Sequence, residues 1–131
     1  MVYINMKKII NTSKAPAPIG PYNQAVLINE VLYVSGQIAI NPQDNTFVLS
    51  SVEEETHQVM KNISAILTEA GVTFSNIVKS TIFLSDMSLF PKVNEVYGSY
   101  FSSDYPARET VAVAGLPKGV NVEISVIAYK S

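Results

Sequence analysis

The residues with the types and spacing to handle a small acid lie between Pro106 and Glu123. Two β-rich runs, Ala107 to Ala114 and Val120 to Ala128, flank Leu116-Pro117-Lys118-Gly119. If those four residues form a loop, Gly115 pairs with Val120, so that Thr110 faces Ser125, Ala112 faces Glu123 and Arg108 faces Ile127, with these side chains on one face. Thr110 and Glu123 are then diagonal neighbours at roughly 7 Å, and Arg108 stands about 7 Å further along. A guanidinium takes a carboxylate bidentately, and a carboxylate too distant to cancel it can orient water. A plainer reading stays open, with Arg108 a surface residue balanced by Glu109 and Glu123 solvated. Two features count against it: Glu123 interrupts Val120-Asn121-Val122-Glu123-Ile124 on the face assigned to Arg108, and Asn94 puts a polar group where core is expected.

Asn94 follows Phe90 by four residues and precedes Tyr97 by three, so it shares their apolar helix face. A buried amide there needs partners. Gly36, in Val34-Ser35-Gly36-Gln37, falls inside a strand pattern, where glycine marks a bulge or the close approach of a ligand to the backbone. Tyr22 follows Gly20-Pro21 and is either a local plug or a pocket wall. The single histidine, His57, lies two residues before Val59, off the apolar stripe, and reads as a solvated surface residue rather than a catalytic base.

The elements that must position these residues are mostly well marked. Lys7 to Asn11 reads as a short strand, and Ala15 to Pro21, with three prolines, as an irregular loop. Gln24 to Ile28 and Val31 to Ile40 form a hairpin around Asn29-Glu30. Ser51 with Glu54 reads as a capping box that opens a helix; Val59, Ile63, Ile66, Leu67 and Ala70 give it one apolar face, and Gly71 ends it. Ile77 to Leu84 reads as a mostly buried strand. Ser88 is expected to cap a second helix, with Pro91 in its first turn and Phe90, Val93, Tyr97, Tyr100 and Phe101 as its stripe. The order implies an α+β fold: a mixed sheet with two helices on one face.

Composition narrows the chemistry. The 131 residues, without linker or repeat, suit a single domain spanning 1–131, with residues 1–6 expected to form a disordered extension. Whether Met1 or Met6 is the start stays open. There is no cysteine and one histidine, which leaves no disulfide, thiolate or sulfur-ligated metal site and implies no metal or cofactor. No signal-peptide or membrane-spanning stretch is present, so a cytoplasmic location is expected. The net charge of -2, without a basic block, argues against nucleic acid as partner. Only 15% of residues are charged, against about 25% in a typical soluble domain. Apolar surface left bare by so few charges predicts a homo-oligomer.

Several blocks, in order, resemble the RidA/YjgF family of reactive intermediate deaminases. They are Ala17-Pro18-Ile19-Gly20-Pro21-Tyr22-Asn23-Gln24-Ala25, Val34-Ser35-Gly36-Gln37-Ile38, Ile66-Leu67-Thr68-Glu69-Ala70-Gly71, Phe90 to Tyr97, and Pro106-Ala107-Arg108 through Leu116-Pro117-Lys118-Gly119 to Val122-Glu123-Ile124. The resemblance runs from about Lys7 to Ala128. It implies a chorismate-mutase-like fold and a homotrimer whose sheets close a central β-barrel, with helices outside and active clefts between subunits. It also implies hydrolysis of 2-iminobutanoate or 2-iminopropanoate to a 2-keto acid and ammonia. Arg108 would bind the substrate carboxylate and Glu123 position the water, while Tyr22, Gly36, Phe90 and Asn94 line the pocket. Thr110 stands where relatives often have cysteine, and would act through its backbone.

Two other functions stay open. One is a non-catalytic keto-acid-binding or chaperone-like protein using the same clefts. The other is an endoribonuclease or translation inhibitor, for which the charge and the off-stripe histidine give little physical support. A chorismate mutase shares the fold, but fold alone does not fix function.

Overall fold

The computed structural model describes residues 6–131. The expected extension therefore lies, apart from Met6, outside the described residues, as does Met1. The elements run β1 (Lys8–Ile10), β2 (Ala25–Ile28), β3 (Val31–Gln37), α1 (Val52–Ala70), β4 (Ile77–Leu84), α2 (Phe90–Gly98), β5 (Ala107–Ala112) and β6 (Val122–Tyr129). The strands form one sheet in the order β1-β2-β3-β6-β4-β5. All neighbours are antiparallel except β4 and β5, which are parallel, so the sheet is mixed as expected.

Helix α1 forms where three local signals agree. The Ser51 hydroxyl accepts from the Glu54 amide at 3.1 Å, three glutamates follow in the first turn, and Gly71 ends the helix with φ of 81°. The Glu54 half of the expected capping box is not formed among the described hydrogen bonds. Val59, Met60, Ile63, Ile66 and Leu67 are buried against the sheet, each contributing about 2 kcal/mol of apolar burial. No helix among the described residues is long and apolar enough to cross a membrane.

The hairpin between β2 and β3 turns through Asn29 and Glu30, both at positive φ, the geometry that suits the strand twist. Glu30 tolerates it because its carbonyl accepts from the Lys130 amide at 2.7 Å and its carboxylate from the Tyr129 hydroxyl at 2.9 Å. Strand β3 ends at Gln37, short of the expected Ile40, which forms an isolated bridge to Phe47. Asp86, not Ser88, provides the cap before α2: its side chain accepts from the Ser88 amide at 2.7 Å and closes a short 3-10 turn. Pro91 sits in the first turn of α2, which ends at Gly98 and leaves Tyr100 and Phe101 beyond it.

The expected β5–β6 hairpin does not exist. Strand β4 lies between them, pairing Arg108 with Ser80 and Thr110 with Ile82 on one side, and Glu123 with Phe83 on the other. The reason is burial. Strand β6 buries Val122, Ile124, Val126 and Ala128 on one face and needs neighbours on both sides, whereas β5 is exposed along most of its length and takes the edge. A parallel β4–β5 pair also requires a crossover, which α2 supplies. Arg108, Thr110 and Ala112 therefore face the helices with Ser80, Ile82, Val122, Ile124 and Val126. Glu123, Ser125 and Ile127 face the opposite, open side with Tyr33, Thr81, Phe83, Glu109 and Val111. Tyr33 and Val111 are exposed there.

Candidate functional site

Arg108 projects from edge strand β5 toward α2. Its guanidinium donates to Asn94 Oδ1 at 2.6 Å and stands 5.4 Å from the Phe90 ring centre and 5.3 Å from that of Tyr97. Two rings and an amide thus hold the cation through its faces and one edge, leaving the other donors toward a cleft. The cleft, about 400 Å³, is lined by Asn94, Tyr97, Gly98, Tyr105, Pro106 and Arg108. Tyr97 is fixed from beneath, its hydroxyl donating to the buried Ser80 hydroxyl at 2.9 Å. Burial pushes the Tyr97 phenol up, so the ring under the cation stays neutral; the Ser80 bond and Arg108 oppose that shift.

No carboxylate pairs with Arg108 among the described residues. Glu109, offered above as its partner, instead meets Lys79 at 3.1 Å on the open face. An unpaired guanidinium over aromatic rings is suited to a planar anion from outside the chain.

Glu123 lies elsewhere. With Tyr22 and Gly36 it lines a smaller cavity of about 80 Å³, walled by Pro16, Ala17, Ile19, Ile38, Ile40 and Pro117. Gly36 belongs to a bulge, since two residues, Ser35 and Gly36, stand opposite the single Ser125 of β6. A Cβ on Gly36 would lie 2.8 Å from Glu123 Cδ and 3.0 Å from Cγ. The glycine thus accommodates the carboxylate as well as the bulge. Burial raises the Glu123 carboxyl above its ordinary pKa, and no hydrogen bond or ion pair offsets this among the described residues.

The loop that carries Tyr22 is held by buried Gln24. Its amide nitrogen donates to the carbonyls of Thr12, Ala15 and Pro16 at 2.9 to 3.3 Å, and its oxygen accepts from the Thr12 amide at 2.7 Å. Tyr22 lines the cavity and also closes its own loop, its hydroxyl accepting from the Ile19 amide at 3.4 Å.

The structure brings Phe90, Asn94 and Arg108 together, and Tyr22, Gly36 and Glu123 together, but separates the groups. The roughly 7 Å spacing between Thr110 and Glu123 is overturned with the hairpin: β4 intervenes and the side chains leave opposite faces. Arg108 and Glu123 are offset by two strand spacings and three residues, roughly 14 Å through the sheet. Thr110 shares the Arg108 face, and its Oγ1 is buried with no hydrogen-bond partner among the described residues. His57 is half-buried rather than solvated, its Nδ1 within 2.8 Å of the Tyr100 hydroxyl. Sequence reading treated Tyr97 as plain core; its place one turn past Asn94, on the same face, was the signal that it could seat the cation. No three histidine or acidic side chains converge as a metal site among the described residues.

A protein-family model described as Endoribonuclease L-PSP matches residues 12–130. A 2-iminobutanoate/2-iminopropanoate deaminase of Bos taurus is 50% identical over 125 residues, covering 95% of this chain and 91% of that protein. Among solved structures, a member of the Rid protein family from Yersinia pestis superposes with a TM-score of 0.92 at 49% identity, covering 95% of this chain and 99% of that one. TdcF of E. coli, crystallised with bound serine, gives a TM-score of 0.91 at 39% identity, with coverage of 95% and 99%.

Proposed function

The chain belongs to the Endoribonuclease L-PSP family, the RidA/YjgF proteins, and from that premise we propose that it hydrolyses 2-imino acids to 2-keto acids and ammonia. The observation that carries this reading is the unpaired Arg108 guanidinium, seated on Phe90 and Tyr97 beside Asn94 and open to a cleft. Deaminases are among the relatives at about half identity. The serine in TdcF has the carboxylate and nitrogen-bearing C2 that a 2-imino acid also has.

No single copy can bring Arg108 and Glu123 to one small substrate, because they leave opposite faces of the sheet. The proposed assembly is a homotrimer in which the open faces close a central barrel, so that the Arg108 cleft of one copy meets Glu123 of the next. Covering Tyr33 and Val111 favours such an arrangement, since exposed apolar surface gains from burial.

In the completed site, Arg108 clamps the substrate carboxylate, while Tyr22 and Gly36 wall the pocket and the backbone at Thr110 holds the imine region. The apolar side chains of Ile19, Ile38 and Pro117 suit a methyl or ethyl group, as in 2-iminopropanoate or 2-iminobutanoate. Glu123 accepts a hydrogen bond from water and directs its oxygen to C2. Water adds across C=N, the C–N bond of the resulting tetrahedral adduct breaks, and ammonia leaves behind the keto acid. The imine is already open to attack, so positioning supplies the acceleration and this scheme calls on no cofactor.

The test is release of keto acid and ammonia from imines generated in situ by an amino-acid oxidase, measured against spontaneous hydrolysis. Acceleration supports the proposal. A keto-acid-induced melting shift without acceleration would replace it with a binding role, and RNA cleavage alone by the highly purified protein would replace it with a nuclease role.

A further inference from the structure

Glu55 is the one charged side chain among the buried residues described, with no exposed surface at all. It stands in the first turn of α1, where the helix dipole favours a negative charge. A carboxylate in the interior is costly unless its oxygens are hydrogen-bonded. Glu55 meets that condition by gripping the start of β6. Its Oε2 accepts from the Asn121 and Val122 amides at 2.8 and 3.0 Å, and its Oε1 from the Asn121 side-chain amide at 2.9 Å. Asn121 is held from the other side as well. Its carbonyl accepts from the Ser85 amide at 2.9 Å, and its side-chain oxygen from the Ser85 hydroxyl at 3.1 Å.

This clamp lies immediately before Glu123. Strand β6 pairs with β4 as far as Val122, but with β3 only as far as Ile124. Val122 and Glu123 thus have a paired strand on one side alone, and the Glu55 carboxylate supplies the acceptor for the Val122 amide. Glu123 makes no polar contact of its own among the described residues, so its placement depends on the backbone that carries it and on the space above Gly36.

We infer that Glu55 is a positioning residue for Glu123: by fixing Asn121 and Val122 it sets where the Glu123 carboxylate meets the hydrolytic water. The inference rests on the water-directing role proposed for Glu123. Glu55 faces the helix side of the sheet and touches no substrate, so it acts only through the β6 backbone.

The experiment measures kcat and KM for imine hydrolysis in Glu55→Gln and Glu55→Ala, each in the native and the Glu123→Gln background. Ile63→Val, a core change in the same helix outside this network, serves as the control for lost stability. Glu55→Gln should lower kcat about tenfold with KM nearly unchanged, and Glu55→Ala should lower it further. In the Glu123→Gln background either change should add no more than about twofold, because the side chain being positioned no longer acts. The acid limb of the kcat–pH profile should move in the Glu55 variants and stay in place in Ile63→Val. If Glu55→Ala does not fold, Glu55→Gln decides the matter, since it keeps the shape and one acceptor oxygen. Equal losses in both backgrounds, or an unchanged kcat, overturn the positioning role while leaving the deaminase reading intact. A native protein that does not hydrolyse imines overturns both.

Discussion

On the helix face of the sheet, Arg108 rests on two aromatic rings and an amide; on the open face, Glu123 rests against a bare glycine, with no polar partner among the described residues. The cation is held by side chains from another element, α2, that make it rigid and leave its charge uncompensated. The carboxylate is held by backbone alone, through the bulge at Gly36 and the ladder of β6, and burial makes it reluctant to ionise. In the proposed function one side binds an anion and the other keeps an acid poised for proton chemistry. Their separation by the sheet is the central fact, because chemistry that needs both must draw them from different copies.

Substitutions at the two ends should therefore fail in different ways. Arg108→Ala should have the largest effect, lowering kcat/KM roughly a thousandfold and abolishing keto-acid binding while the exposed position leaves Tm little changed. Gly36→Ala drives a Cβ into Glu123. Because the end of that side chain can move, folding should survive, and kcat should fall about thirtyfold with binding retained. Asn94→Ala removes one acceptor from the guanidinium and should raise KM about fivefold, with kcat less affected. Steady-state kinetics and ligand-induced melting shifts separate these patterns. Equal losses of binding in all three would erase the distinction between the ends.

The subtlest difference is in pH. Burial raises the Glu123 carboxyl above the ordinary 4.5, so the folded chain holds this proton more tightly than the unfolded one. The stability it contributes is fully present below the unfolded pKa and is lost as pH rises through the higher folded value. Glu123→Gln should thus melt higher than the native protein near pH 7, and the gap should shrink toward about pH 4. The native kcat should show an acid limb centred above 4.5 that Glu123→Gln removes. A gap that widens on acidification contradicts the assignment.

Helix α1 was legible because its Ser51 cap, apolar stripe and terminal Gly71 all mark the same span. The β5–β6 relation was not, since two β-rich runs around a short loop satisfy a hairpin as well as a crossover. What decides it is how much apolar surface β6 must bury, a property of the whole sheet. That one error placed Arg108 and Glu123 on the same face. Family resemblance named both residues as candidates, but it carries no register. Glu55 was hidden in a run of three glutamates that reads as a solvated first turn, although it precedes Val59 by four residues and so continues the buried stripe. His57 was misjudged for a related reason: its partner, Tyr100, is 43 residues away.

The claim that the site is shared between copies can be tested by mixing two crippled proteins. Arg108→Ala and Glu123→Gln subunits, unfolded together and refolded at equal concentrations, should regain imine hydrolysis. About a quarter of the interfaces would join an intact Arg108 to an intact Glu123 if the copies associate at random in a head-to-tail ring. Recovery toward a quarter of native activity is the expected result. A mixture no more active than the average of its two components, with mixed oligomers verified by mass, would show that the two residues do not meet across an interface.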